Sequence, residues 1–390
     1  MKKTTRIVQG GRRARSKPGT VNLPVTRAST VLFKDLADLE AVQARFNADE
    51  VVPTYGIVNM PLRAALEEMM CELEGGHRAV TLPSGLAAVT VAILSCVKAG
   101  DHMLMVDSVY GPARSVCERT LKRFGVETTY YDPLVGAGIA GLMRPNTTLV
   151  YVESPGSHTF EVQDIPAIAT AAHERGATVV CDNAWATGLY FPAIEHGCDL
   201  VVQPVTKYPG GHSDVLVGAV IANERAWPML RATSYDLGQT TSPDDIFLAI
   251  RGMRTLEVRL ARHQQSALTV ARWLATQSQV KRVLYPALES DPGHALWKRD
   301  FKGATGLFAI ELVPGEKKQV AAFVDGLQLF GLGYSWGGFE SLVVPANLRH
   351  GRAVRPWTGG PLIRLSIGLE DPADLIADLE AGLARYSAAA

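Results

Sequence analysis

Apolar side chains recur at helical spacing over residues 62–73, and the run stops at Gly75-Gly76, which predicts a helix closed by a glycine C-cap. Beyond it the pattern changes. Short, largely apolar runs occupy 79–82, 102–107, 126–132, 148–153, 177–182, 199–205 and 215–222. Helical patterns at 85–98, 112–124 and 165–175 lie between them. Runs without a polar alternation suit strands buried on both faces, and their alternation with helices predicts an α/β fold built on a mostly parallel sheet. The last run follows its neighbour through a glycine-rich turn, which allows it to be antiparallel. Residues 243–278 read as one or two long amphipathic helices. A second set follows, with strands at 280–285, 307–312, 341–344 and 362–367 and helices at 317–328 and 372–386, the pattern of a smaller α+β domain. Residues 1–60 read as an irregular arm broken by Pro18, Gly19, Pro24 and Pro53, with one helical stretch near 35–47. The expected division is 1–60, 61–250 and 251–390.

The chain has 390 residues, of which 47% are hydrophobic and 20% charged, a globular rather than a disordered composition. Lys and Arg number 39 and so do Asp and Glu, leaving a net charge of zero. That balance offers no electrostatic case for nucleic acid or an anionic membrane surface, and it favours burial of apolar surface in an oligomer. The basic start, Met1 to Arg6, has no apolar stretch behind it, and no apolar run nears about 18 residues, so a leader and a spanning helix are not expected. Five cysteines without CxxC spacing read as free thiols in a reducing, cytoplasmic setting, and neither they nor the nine histidines form a metal-ligand pattern.

Some familiar motifs carry no chemistry here. Residues 136–141 match GxGxxG but follow Pro133 rather than a strand end, which reads as a loop entering a short helix. His212-Ser213-Asp214 places triad residue types side by side, which suits a turn, because a triad is assembled from distant segments. The residues that do stand out lie at strand ends. Asp182 ends one apolar run, Lys207 ends the next, and Ser84-Gly85 opens the helix after a third. Each has an ordinary reading too, as a cap or a solvated loop residue. Together they offer a carboxylate, an amine and a helix N-terminus able to hold a phosphate. Pyridoxal 5'-phosphate (PLP) needs these three: a lysine for its aldehyde, an acid for its pyridine nitrogen and a cradle for its phosphate.

Six stretches then resemble a known family: 71–76 (CELEGG), 153–157 (ESPGS), 182–188 (DNAWATG), 206–214 (TKYPGGHSD), 334–341 (YSWGGFES) and 362–370 (LIRLSIGLE). In this order they resemble the cystathionine β-lyases, in the Cys/Met-metabolism branch of fold-type I PLP enzymes. The resemblance implies an aspartate-aminotransferase-like fold, with a seven-stranded sheet between helices and a smaller C-terminal domain. It makes Lys207 the cofactor-bearing and proton-moving lysine, Asp182 the partner of the pyridine nitrogen, and Tyr110 the ring stacked on the cofactor. Ser84, Gly85, Leu86 and Thr206 would hold the phosphate. Arg364, Ser335 and Trp336 would bind substrate, with Tyr55 reaching in from a neighbouring subunit of a homotetramer, a dimer of active-site dimers. Trp336 and the ESPGS block resemble β-lyases rather than γ-acting members, which implies C–S cleavage at Cβ of cystathionine or another cysteine S-conjugate, with no metal involved.

One departure accompanies the resemblance. The family's Tyr-Gly-Arg-x-Gly-Thr is here Tyr55-Gly56-Ile57-Val58-Asn59-Met60. Ile57 cannot replace the hydrogen bond of an arginine to phosphate, worth about 1.5–3 kcal/mol, and Arg63, six residues on, is the one candidate substitute nearby. Two other readings stay open: a γ-acting or specialised-pathway C–S lyase, and a non-catalytic binding or regulatory protein on the same fold.

Overall fold

The computed structural model describes residues 1–11, 19–348 and 351–390; Pro18, expected to break the arm, lies outside them. Seven strands form the larger sheet: β1 (Arg78–Leu82), β2 (His102–Val106), β3 (Glu127–Tyr131), β4 (Thr147–Glu153), β5 (Thr178–Asp182), β6 (Leu200–Gln203) and β7 (Gly218–Ala222). Their order is β1-β7-β6-β5-β4-β2-β3. Five form the smaller sheet: β8 (Val280–Leu284), β9 (Leu307–Leu312), β10 (Gly331–Leu332), β11 (Leu342–Ala346) and β12 (Leu362–Ser366), in the order β10-β11-β12-β9-β8.

In the larger sheet β7 alone runs against its neighbours, pairing antiparallel with both β1 and β6. The carboxyl ends of β1 to β6 therefore open onto one edge. The expected short apolar stretches are these strands, and β2 and β7 are buried along their whole length. Helix Gly85–Leu94 lies against β1, β6 and β7, and helix Ile165–Glu174 against β4 and β5. The first begins at Ser84, whose side chain accepts from Ala87 N, so the helix start is fixed at the sheet's carboxyl edge.

The structure adds the short helices Thr187–Tyr190 and His294–Asp300 and strand β10 to the expected elements, and it corrects them at three other stretches. The arm is not irregular up to residue 60: Lys3–Gln9 is a helix, held where Lys3 Nζ donates to Leu73 O and Gly188 O and where Ile7 is buried. Seven residues are too few for a periodic pattern to stand out. The stretch 112–124 is an α-helical turn, Gly111–Ser115, that widens into a π-helical segment, Val116–Leu121. Trp227–Asp236 is a helix that the sequence pattern did not reveal, and its Pro228 occupies the first turn, where a missing N–H costs nothing.

Helix Leu36–Asn47 buries none of its residues, and Leu32 and Leu36 are 90% and 70% exposed. Within one chain, Phe46 stacks on Tyr235 with ring centroids 5.9 Å apart, while Leu32 and Leu36 stand uncovered.

Candidate active site

Lys207 sits on the turn that follows β6. That turn is held from below by Arg259, a buried guanidinium that donates to Tyr208 O and Pro209 O at 2.7 and 3.3 Å. The Lys207 amine donates to Ser335 Oγ at 2.6 Å and lies 5.2 Å from the centroid of the Trp336 ring. Ser335 itself has φ +81°, in the left-handed region. Its carbonyl accepts from Arg364 Nη2 at 2.9 Å, so one residue joins the amine of the larger sheet to the guanidinium on β12. Gly337 makes the close approach possible: it has φ +86°, and a Cβ there would lie 2.9 Å from Tyr208 N.

These groups are perturbed in a direction that suits chemistry. Burial, and then the Arg364 charge, lower the Lys207 amine to about 8, while Asp182 opposes them. Burial lowers Arg364 to about 10, and its Nε is buried without a partner among the described residues. A nearly enclosed guanidinium with an unanswered N–H is a site for a carboxylate.

Asp182 closes β5. One oxygen accepts from Ala184 N at 3.0 Å, and the Tyr151 hydroxyl approaches the other at 3.5 Å. Burial raises its carboxyl to about 6. Beside it, at the end of β4, Glu153 is paired in register with Asp182, and its Oε2 accepts from Tyr110 N at 2.7 Å. Burial first, and the neighbouring Asp182 second, keep the Glu153 carboxyl well above the usual range. Tyr110 follows β2, with its ring half-exposed over this edge, and its phenol is raised by burial and then by the Asp182 and Glu153 charges.

Ser84 Oγ is occupied as the N-cap, accepting from Ala87 N at 3.1 Å. The N–H groups of Gly85 and Leu86 are the orphan donors of the helix start and have no protein acceptor among the described residues. Gly85 touches Pro204, three residues before Lys207, where a Cβ would come within 2.7 Å of the proline ring. Thr206 is nearby, with its hydroxyl tied to the backbone of Val217 as both donor and acceptor.

Tyr55 is the expected residue that the chain does not bring to this edge. It is 52% exposed and lines a groove of about 420 Å³ with Ile57, Met60, Thr240 and Ser242. Arg63, the candidate substitute for the missing arginine, is not available to an outside phosphate. It is buried and donates to Glu67, to Ile57 O and to Thr81 O.

Three residues of the site escaped sequence reasoning. Glu153 stood inside the ESPGS block without a role, Tyr151 looked like strand filler, and Arg259 sits on the buried face of helix Leu256–Leu274 with Leu256, Leu260 and His263. A charged residue on that apolar stripe was the available signal.

Known proteins resemble this chain over nearly its whole length. The profile of the Cys/Met metabolism PLP-dependent enzymes matches residues 4–384. The cystathionine β-lyase of Escherichia coli (strain K12) is 43% identical over 389 residues, covering 98% of each chain. The L-alanine/L-glutamate racemase of Wolbachia pipientis wMel is 41% identical over 395 residues, covering 99% of this chain and 98% of the other. The crystal structure of cystathionine γ-synthase from Xanthomonas oryzae pv. oryzae, in complex with aminoacrylate and cysteine, has a TM-score of 0.91, with 32% identity and full coverage of both chains. A partly buried lysine and an arginine with one unanswered N–H, joined through one serine, on a fold and sequence shared over the whole length, lead to one conclusion: the chain belongs to the Cys/Met-metabolism family of PLP-dependent enzymes, on its cystathionine β-lyase side.

Proposed function

We propose that this protein is a PLP-dependent carbon–sulfur β-lyase, acting on cystathionine or a related cysteine S-conjugate and releasing a thiol (homocysteine from cystathionine), pyruvate and ammonia. The observation that carries the reading is the double hold on Ser335, which sets a proton-moving amine beside a carboxylate-binding guanidinium. The residues present fit PLP. The free N–H groups of Gly85 and Leu86 suit its phosphate, Asp182 suits the ring nitrogen, Tyr110 offers a half-exposed ring for stacking, and Lys207 offers an amine for the aldehyde. When bound, PLP supplies an electron-withdrawing ring conjugated to the substrate's α-carbon.

The protein's own groups do the rest. Arg364 grips the α-carboxylate, using the Nε that has no partner among the described residues. With the carboxylate fixed, the Cα proton faces Lys207, whose depressed pKa leaves a fraction of the amine free to accept it near neutral pH. Ser335 Oγ holds that amine in place, and the Trp336 ring walls off one side. Tyr110, with its phenol raised, keeps a proton to deliver. Arg259 keeps the lysine turn in register.

The chain divides, on this reading, into an arm (1–60), a cofactor-binding part (61–250) and a C-terminal part (251–390). The uncovered apolar residues of the arm, and Tyr55 lying away from Lys207, support self-association in which Tyr55 completes a neighbour's site, as in a homotetramer acting in the cytoplasm.

The test is product analysis with cystathionine and PLP. Pyruvate with homocysteine is expected, and Lys207→Ala should abolish both. 2-Oxobutyrate would replace the reading by γ-elimination. A D-amino acid from L-alanine with no keto acid would replace it by racemisation. Protein that never acquires the visible absorbance of bound PLP would sink it altogether.

A further inference from the structure

Glu153 and Asp182 are register partners on adjacent parallel strands, so their side chains leave the same face of the sheet about 5 Å apart. Two ionised carboxylates so placed, Asp182 buried and Glu153 partly buried, repel each other strongly, and one of a pair of this kind keeps its proton. The nearby cations offset this only in part: Arg352 draws Glu153 down and Lys207 draws Asp182 down, yet burial outweighs both. Arg352, on the loop after β11, is held by Glu161; Lys207, after β6, donates to Ser335; and Arg364, on β12, donates to the Ser335 carbonyl. Among the described residues, the phenols of Tyr151 on β4 and Tyr110 after β2 and the thiol of Cys181 on β5 are further titratable neighbours, and all three are raised, so none supplies positive charge. The two carboxylates also differ in their contacts. Asp182 receives an amide N–H and faces the Tyr151 hydroxyl, whereas Glu153 receives the single amide of Tyr110. Asp182 is thus the better-supported anion, and Glu153 is the one to stay protonated.

We propose that Glu153 is a positioning residue that acts as a neutral carboxylic acid: its accepting oxygen fixes the Tyr110 turn, and its retained proton leaves a single negative charge, on Asp182, at the cofactor ring. This rests on the PLP reading above. A second ionised carboxylate would change the charge that the ring and the lysine feel. A neutral acid holds Tyr110 without doing so.

Glutamine keeps a neutral carbonyl acceptor in place, and alanine removes it. In the PLP-loaded protein, Glu153→Gln should therefore leave the pH midpoint of the visible cofactor band within about 0.3 units of wild type and PLP affinity within about threefold. Glu153→Ala should weaken PLP binding about tenfold by freeing the Tyr110 turn. The band is read by spectrophotometric pH titration, and affinity by adding PLP back to stripped protein, with a melting curve confirming that each variant is folded. A midpoint that falls by about one unit or more in Glu153→Gln would mean that an anion had been removed, and would overturn the proposal. So would Gln and Ala variants with equal PLP affinity. Wild type that takes up no PLP would instead overturn the cofactor reading.

Discussion

Lys207 is drawn to about 8 by burial and by Arg364, so its protonation is a property of its neighbours and can be moved through them. In protein stripped of PLP, labelling of Lys207 by an amine reagent should be half-maximal near pH 8, and Arg364→Gln should raise that midpoint toward the ordinary 10.5. Peptide mass spectrometry across a pH series reads the shift; a midpoint indifferent to Arg364 would leave burial as the only cause. Stability follows with a definite sign. Between about pH 8 and 10.5 the unfolded chain holds the proton and the folded chain has released it, so the stripped protein should gain stability as pH rises through this window. Lys207→Met should flatten that rise in urea midpoints. Lys207, Asp182 and Ser84 were legible as single residues because each ends a strand or opens a helix. Glu153 was not, since its meaning depends on which residue lies opposite it in the next strand.

Among the elements, the 334–341 loop and the lysine turn form the working contact, and Gly337 is where they meet. Gly337→Ala adds a Cβ in a left-handed conformation, costing about 1–2 kcal/mol in strain alone, and presses against the Tyr208 amide. The loop should shift, carrying Ser335 and Trp336 with it, so kcat/KM should fall by at least tenfold while PLP content changes little. Steady-state kinetics beside cofactor absorbance separates the two effects. Helix Gly85–Leu94 offers a second check. Ser84→Ala removes the side-chain cap and should cost about 0.5–2 kcal/mol in urea unfolding. The helical and strand patterns of the larger sheet were readable because most of its runs are buried; β3 at the sheet edge, with only Tyr131 buried, is the exception. The widening of 116–121 into a π-helical segment was not, for a widened turn leaves the order of residues unchanged.

At the scale of the whole molecule, the arm decides what a single chain cannot do. If Tyr55 serves a neighbour, Lys207→Ala and Tyr55→Ala proteins, each inactive, should regain activity when unfolded and refolded together. About a quarter of the sites would be intact if dimers reassort at random. No recovery in the mixture would place Tyr55 at its own subunit's site or at none. Ile57 lines the same groove as Tyr55. With Arg63 already bound to Glu67 and Ile57 O, Ile57→Arg should tighten PLP binding about tenfold or more, measured by titrating stripped protein. Unchanged affinity would mean that the helix N-terminus already satisfies the phosphate.

The sequence by itself determined the order of strands and helices, the two-sheet division of the elements and the residues with chemical character, because burial imposes a pattern that survives in one dimension. Six motif blocks in order were enough to imply the family. Tertiary structure alone decided the rest. It brought Lys207 and Arg364, 157 positions apart in the numbering, to the two ends of one serine residue, and it set Glu153 against Asp182. It also tied Arg63 to its own chain and left Tyr55 away from Lys207. Such facts depend on distance and desolvation between residues remote in sequence, and hydrophobic pattern carries no record of either.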